Sequence, residues 1–279
     1  MKGRIIKKIT QVFGTYNRKI FLRTFRPQWL DSNATEINIT VICFSGAAQF
    51  ADQLLSLSSF YLNIGVPSSY QIHSDGSHSE EQIAVLNAIQ NVKVFNNLTI
   101  LKLPNEAITK FPTLKKIEIL DQTIIKGTTI FTDSDVLYFK KFSKYVSTIT
   151  QGNWYLVDEN FNYFDEDYLK NASKGNSPLN LGLLILNTQI DWNSVIDYIK
   201  NRFQQGVLGY WSDQTAAHIL AVRENFKPLP VNEFVVGGND NFTFGSAVNY
   251  NKIALRHFVG PVRHKMWQYS WKKVLGIKL

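Results

Sequence analysis

TTIFTDSDVLYF, residues 128–139, is the stretch that decides the fold. It begins with the β-branched and aromatic residues Thr129–Phe131, which are typical of a strand buried in a sheet. Two carboxylates, Asp133 and Asp135, then interrupt the apolar run with a single residue between them. Burying unpaired carboxylates costs free energy, so this pair predicts either a bound cation or a hydrogen-bonded turn.

The spacing of Asp133 and Asp135 suits a metal site at the end of a strand. Strand side chains alternate with a period of two, so both carboxylates point to the same side of an extended backbone. Oxygen ligands placed there suit a hard divalent cation such as Mg²⁺ or Mn²⁺. The alternative is a β-turn in which the Asp and Ser side chains accept hydrogen bonds from their own backbone. The tripeptide alone leaves both interpretations open.

Strand and helix signals alternate before this stretch. Predicted strands cover residues 36–46, 69–76 and 91–95, and predicted helices cover residues 47–64, 80–89 and 111–122. Such alternation indicates a parallel sheet with crossover helices. Ligands on these sheets bind beyond the carboxyl ends of the strands, and Asp133 and Asp135 would lie at that edge.

The sequence after residue 139 predicts two further strands and two further helices. The strands are expected at residues 152–159 and 180–187, and the helices at residues 191–204 and 215–222. Asp191 would cap the first of these helices. Residues 160–178 are polar, so we expect a connecting loop there.

The composition is that of a globular protein with one large domain. The chain has 279 residues, of which 44% are hydrophobic and 19% charged, enough to bury a full core. Cys43 is the single cysteine and lies in an apolar run, which predicts a buried reduced thiol. Apolar runs of about 18 residues are absent, which predicts no transmembrane helix. Residues 1–26 lack the apolar core of a signal peptide, so we expect a cytoplasmic protein.

Basic residues are concentrated at both ends of the chain, whose formal net charge is +8. Residues 1–26 hold eight basic and no acidic residues, with apolar residues at helical spacing between them. This pattern is typical of an amphipathic segment on anionic lipid, where each basic residue contributes about 1 kcal/mol. A helix packed on the domain with a solvated basic face is the alternative. No nucleic-acid-binding module is recognisable, so we expect no nucleic-acid partner.

Four separated stretches resemble motifs of the glycosyltransferase A fold, and specifically of the retaining enzymes of glycosyltransferase family 8. TIFTDSDV (residues 129–136) resembles the strand that ends in Asp-x-Asp, and Lys116 is placed like a basic residue near the donor. NLGLLILN (residues 180–187) resembles the Asn-Ala-Gly strand, and Asp213-Gln214 resembles the Asp-Gln motif. HFVGPVR (residues 257–263) resembles the terminal His-x-x-Gly-x-x-Lys motif, with Arg in place of Lys.

The resemblance implies an α/β fold of the glycosyltransferase A type, with a Rossmann-like mixed sheet flanked by helices. The catalytic domain would cover residues 36–267. Residues 1–35 would form a basic amphipathic N-terminal segment, and residues 268–279 a basic aromatic C-terminal tail. The basic ends would place the protein on the inner face of the cytoplasmic membrane.

The resemblance also implies an activity. A hexose would pass from a nucleotide-sugar donor, UDP-linked by default, to a glycan or glycolipid acceptor with retention, as in cell-surface polysaccharide or lipopolysaccharide synthesis. Asp133, Asp135 and His257 would bind Mn²⁺ or Mg²⁺. Asp213 and Gln214 would lie beside the donor sugar as catalytic residues. The other residues implied at the donor are Lys116, Asn180, Gly182, Gly260 and Arg263, together with Asp133.

Asp75 is a further candidate, for a contact with the nucleotide. It follows the second predicted strand together with His73 and His78, and this cluster is typical of turn residues. The first strand ends at Ser45-Gly46 without the acidic residue that often contacts the base in this family, which leaves the nucleotide open.

Each implied role has a structural alternative. His257 could be a buried structural histidine, Asp213 could cap the following helix, and Lys116 could be a solvated helix residue. Two other functions also stay open. Asp133 could be the nucleophile of a metal-dependent phosphohydrolase, or the chain could be a non-catalytic adaptor that keeps the sugar-nucleotide fold.

Overall fold

The computed structural model describes residues 2–30, 35–96, 101–172 and 175–275. The strands are β1 (Glu36–Ser45), β2 (Val66–Ser74), β3 (Val92–Phe95), β4 (Thr128–Asp133), β5 (Val136–Tyr138), β6 (Trp154–Val157), β7 (Leu179–Leu186), β8 (Lys227–Pro228), β9 (Phe234–Val236) and β10 (Leu255–His257). The helices are α1 (Lys2–Thr24), α2 (Phe50–Asn63), α3 (Glu80–Asn87), α4 (Asn105–Lys110), α5 (Lys115–Gln122), α6 (Glu166–Ala172), α7 (Asn193–Gln204), α8 (Ser212–Arg223), α9 (Arg263–Lys265) and α10 (Trp271–Val274). Within these ranges, none of the helices has the length and hydropathy that a bilayer-spanning segment requires.

Seven strands form one mixed sheet in the order β3-β2-β1-β4-β7-β6-β8. The four strands β1 to β4 are parallel, as their alternation with helices predicts. The parallel arrangement does not continue beyond β4, because β7 runs antiparallel to both β4 and β6. β6 and β7 are consecutive strands that lie side by side, so the chain folds back between them. The mixed sheet that the family resemblance implies is confirmed.

The two faces of this sheet are covered by separate apolar clusters. Val41 and Cys43 belong to one cluster, and the alternate residue Ile42 belongs to the other with Phe131, as the period of two requires. The first cluster contains side chains of α1, α2 and residues 266–274, and the second cluster contains those of α5, α7 and α8. Cys43 is fully buried and free, so the predicted buried thiol is confirmed.

Residues 160–178, predicted as a loop, contain helix α6. Asp165 precedes this helix and accepts the Tyr168 backbone N–H at 3.0 Å. Its second oxygen accepts from the Tyr198 hydroxyl and the Arg202 guanidinium, both at 2.5 Å. The helix is short and solvated, so its sequence shows no apolar periodicity. The missed signal is the acid at the start of the helix, which satisfies free N–H groups there.

A second sheet of three strands has the order β5-β10-β9. β5 starts three residues after the end of β4, so the chain passes directly from the large sheet to the small one. β10 lies antiparallel to β5 and sets His257 opposite Val136. A residue near the C-terminus therefore lies beside the stretch that follows β4.

The two ends of the described chain pack against each other. A π-helical stretch, Met266–Ser270, links α9 to α10, and together they form one C-terminal helical segment, residues 263–274. Phe21 of α1 lies 5.2 Å from Trp267 between ring centroids, and the Asn17 amide donates to the Trp267 carbonyl at 2.9 Å. The Trp267 indole N–H in turn donates to Asp52 at 2.5 Å. α1 is therefore anchored beside the segment that begins with Arg263.

Candidate active site

The acid pair lies in the turn between the two sheets. β4 ends at Asp133 and β5 begins at Val136, so the expected single extended backbone is wrong. The carboxylates nevertheless converge with His257, and one ligand atom from each of the three residues lies within 4.8 Å of the others. The turn interpretation and the metal interpretation are thus compatible, because the turn itself directs both acids toward β10.

The hydrogen bonds around His257 leave its Nε2 atom directed at the carboxylates. The Asn180 Nδ2 group donates to Asp158 Oδ2 at 2.8 Å, so Asn180 Oδ1 is the acceptor and takes the Gly182 N–H at 2.8 Å. That oxygen lies 2.8 Å from His257 Nδ1, which therefore carries a proton. Nε2 lies 3.0 Å from Asp135 Oδ1. Histidine metal ligands are usually oriented through the second ring nitrogen in this way, so Nε2 fits a metal ligand.

Asp135 is buried between His257 and Arg263. Besides His257, the Arg263 guanidinium donates to Asp135 Oδ2 through Nε at 2.9 Å and through a terminal nitrogen. Burial alone would raise the pKa of Asp135, but the neighbouring His257 and Arg263 outweigh it and hold the pKa well below its ordinary value. The carboxylate is therefore ionised and ready to bind a cation.

Lys116 is the partner of Asp133. Its Nζ atom lies 2.7 Å and 2.9 Å from the two carboxylate oxygens, and its side chain is 12% exposed. Burial alone would lower the pKa of Lys116, but the charges of Asp133 and Asp213 outweigh it and raise the pKa to about 12. Lys116 is therefore a buried cation of the site, and the solvated-residue alternative is wrong.

Asp213 and Gln214 lie in the first turn of α8, and both are buried. The helix begins at Ser212, so Asp213 is inside it and is not the N-cap. Burial raises the pKa of Asp213, against the charge of Lys116, which lowers it. The Gln214 amide donates to the Asn162 carbonyl at 3.2 Å, which ties α8 to the segment after β6.

A cavity of about 350 Å³ opens over these groups. Its lining contains every implied site residue except Asp75: Lys116, Asp133, Asp135, Asn180, Gly182, Asp213, Gln214, His257, Gly260 and Arg263. Four residues that the sequence motifs did not indicate also line it: Asp158, Asn162, Tyr210 and Trp211. Asp158 directly follows β6, and an acid at the end of a strand is the signal that could have found it.

The two glycines of the cavity differ in the space around their Cα atoms. A Cβ on Gly182 would lie 2.7 Å from Asn180 Oδ1 and closer still to the imidazole of His257. Gly182 therefore makes room for the histidine. A Cβ on Gly260 would meet nothing within 4 Å, so that backbone is open to a ligand.

Asp75 is not part of this cavity. Its carboxylate accepts the N–H and the hydroxyl of Ser77 at 2.9 Å and 2.5 Å, and it occupies the space beside Gly46. His78 Nδ1 is hydrogen-bonded to Ser74 Oγ at 2.9 Å. These residues form the turn after β2, so the structure does not bring Asp75 together with the acid pair.

Comparison with solved structures places this arrangement in a known fold. The galactosyltransferase LgtC, solved with donor and acceptor sugar analogues, matches over 85% of this chain and 95% of its own, with a TM-score of 0.58 and 12% identity. GlyE of Streptococcus pneumoniae TIGR4, a glycosyltransferase, matches over 86% of this chain and 62% of its own, with a TM-score of 0.54 and 12% identity. Mouse xyloside xylosyltransferase 1 matches over 82% of this chain and 99% of its own, with a TM-score of 0.52 and 13% identity. The chain has the glycosyltransferase A fold.

At such identities the likeness defines the fold alone. The sequence matches no known family model, and a search of curated proteins found no match. The fold implied by the sequence motifs is thus confirmed, and membership of family 8 stays a prediction.

Proposed function

We propose that this protein is a metal-dependent glycosyltransferase that moves a hexose from a nucleoside-diphosphate sugar to a glycan or glycolipid. The observation that carries the proposal is the convergence of Asp133, Asp135 and His257 in one cavity, with their ligand atoms within 4.8 Å. Two cations, Lys116 and Arg263, lie in the same cavity. This set of charges suits a substrate that carries a diphosphate.

The three ligand side chains fit a divalent cation of intermediate hardness. Two carboxylates and one imidazole are typical of Mn²⁺ and Mg²⁺ sites with several open positions, and Nε2 of His257 is left directed at the carboxylates by the bond at Nδ1. Mn²⁺ suits the imidazole better than Mg²⁺ does. Such a cation would stabilise negative charge on the departing diphosphate as a Lewis acid.

The paired charges of the site favour binding the donor and the cation together. Lys116 and Arg263 pair with Asp133 and Asp135, which neutralises both carboxylates. A bound divalent cation would leave the cluster with excess positive charge, and a nucleoside diphosphate offers the matching negative charge. Lys116 and Arg263 would then turn hydrogen-bond donors toward phosphate oxygens, and the exposed backbone at Gly260 would admit the diphosphate.

The finer features are part of the same proposal. We expect UDP as the nucleotide, Mn²⁺ as the metal and retention at the anomeric carbon, all from the family resemblance. Asp213 and Gln214, which line the same cavity as the metal ligands, would orient the donor sugar. The nucleotide contact expected of Asp75, whose carboxylate lies outside the cavity, stays a prediction.

A thermal-shift panel of nucleotides and nucleotide-sugars, with and without Mn²⁺, tests the proposal. A true donor at about 100 times its Kd should add about 2.7 kcal/mol of stability, and only with Mn²⁺ present. Asp135→Asn should remove this metal-dependent stabilisation and the transfer activity. The matched control is Asp197→Asn on the exposed face of α7, which should behave as wild type. Full transfer activity in Asp135→Asn would contradict the proposal.

The same experiments distinguish the two alternative functions. A phosphohydrolase would form a phospho-aspartate on Asp133, which mass spectrometry of the trapped enzyme would detect. An adaptor would bind nucleotide-sugars without transferring or hydrolysing them. A glycosyltransferase should show neither result.

A further inference from the structure

One face of helix α1 carries apolar side chains that nothing in the described chain covers. This apolar stripe is Ile5, Ile9, Val12, Phe13 and Tyr16, which are 54%, 39%, 70%, 56% and 62% exposed. The spacings of three, four and seven residues place them on a single side of an α-helix. Five large apolar side chains on one solvated face are more than the scattered exposed residues of an ordinary surface.

The opposite face of α1 is fixed, so the helix cannot turn to bury the stripe. Thr10, Gly14 and Phe21 are buried there. A Cβ on Gly14 would lie 3.1 Å from the His264 carbonyl oxygen, which shows how closely the helix approaches the C-terminal segment. Lipid contact and packing on the domain, alternatives at the level of the sequence, are compatible, because α1 has a separate face for each.

The charges around the stripe identify the kind of partner. Lys19 and Arg23 continue the same helical face beyond Tyr16, Lys2 precedes it and Lys8 flanks it, and all four are exposed. α1 contains no acidic residue. Two copies of this face would bring like charges together, which opposes self-association, whereas an anionic lipid surface offers both headgroup charge and hydrocarbon.

We propose that the apolar stripe of α1 docks on an anionic phospholipid surface. Phe13 and Tyr16 would enter the boundary between headgroups and acyl chains, and Lys2, Lys8, Lys19 and Arg23 would contact lipid phosphates. Because α1 packs on the segment that begins with Arg263, docking would hold the cavity close to the membrane. Lipid binding itself needs no nucleotide-sugar, so it can succeed or fail independently of the proposed transfer activity.

The test is co-sedimentation of the full chain with vesicles of phosphatidylcholine, alone or mixed with phosphatidylglycerol. We expect binding to the mixed vesicles only, and less binding as salt is raised. The double substitution Val12→Ser/Phe13→Ser should lower the affinity at least about tenfold. Ile124→Ser removes an apolar side chain that is 75% exposed outside α1, and this matched control should bind as wild type.

A second variant separates charge from apolar contact. Lys8→Glu/Lys19→Glu changes only exposed side chains and should also weaken binding at least about tenfold. Equal melting temperatures and equal nucleotide binding would show that the variants are folded. Vesicle binding that is unchanged in both double variants would overturn the proposal. The proposal would also be overturned if the wild type formed a dimer that did not bind vesicles and that Val12→Ser/Phe13→Ser converted to a monomer.

Discussion

Replacing Gly182 by alanine should displace His257 while leaving every ligand side chain in the protein. The new Cβ would lie 2.7 Å from Asn180 Oδ1, whereas ordinary contact begins at 3.4 Å, so the amide must retreat by about 0.7 Å. The imidazole lies nearer and must retreat further. The 2.8 Å bond between His257 Nδ1 and Asn180 would then be lost. Disturbing the group that orients a metal-bound histidine lowers metal affinity about 10- to 100-fold.

The measurement is a titration of Gly182→Ala with Mn²⁺, followed by the electron paramagnetic resonance of free Mn²⁺. The crowded Cβ should also cost about 1–3 kcal/mol of unfolding free energy, so denaturant curves must show that the variant is folded at the titration temperature. Gly127→Ala is the matched control, because its Cβ would meet nothing within 4 Å. Mn²⁺ affinity in Gly182→Ala equal to that of the wild type would refute the assignment of His257 as a ligand.

Three further predictions follow from buried charges. Arg256→Met breaks a fully buried ion pair with Asp240, in which nitrogen and oxygen lie 2.8 Å apart. The substitution should lower the unfolding free energy by about 3–5 kcal/mol, as measured by urea denaturation, and a loss below about 1 kcal/mol would contradict the expected cost of the unpaired charge. In Asp165, burial raises the pKa, but the three hydrogen bonds to its carboxylate and the adjacent guanidinium outweigh it and lower the pKa. The stability that this carboxylate adds is therefore present above the unfolded pKa of about 3.9 and is lost as pH falls through the lower folded pKa. Thermal denaturation of Asp165→Asn should show a deficit at neutral pH that shrinks below about pH 4, and a deficit independent of pH would oppose this account. Lys116→Met should weaken nucleoside-diphosphate binding at least about tenfold without weakening Mn²⁺ binding, because the lysine pairs with a metal ligand and is not itself one. Separate calorimetric titrations with the nucleoside diphosphate and with Mn²⁺ would measure the two affinities. An equal loss of both affinities would contradict a role of Lys116 in binding the diphosphate.

Much of the candidate site could be predicted from short motifs that resemble those of glycosyltransferase family 8. The acid pair, Lys116, Asn180, the Asp213-Gln214 pair and His257 all line the same cavity. Asp75 does not, because the turn after β2 satisfies its carboxylate within two residues. A short-range motif cannot show whether an acid is free for a ligand or already bonded to its neighbours. That depends on backbone geometry that the residue types permit but do not require.

The sequence by itself determined the alternation of β1, β2 and β3 with α2 and α3 and the burial of Cys43, and its motifs named the candidate site residues; it did not show α4 or the break between β4 and β5. The features that it did determine depend on side-chain periodicity and local chemistry, which act over a few residues. Only the tertiary structure decided that β7 is antiparallel to its neighbours, that Asp135 Oδ1 and His257 Nε2, 122 residues apart in the chain, lie 3.0 Å from each other, and that α1 leaves its apolar stripe uncovered. These outcomes depend on which distant segments pack together and in which register, and the free energy of that packing is shared by the whole chain.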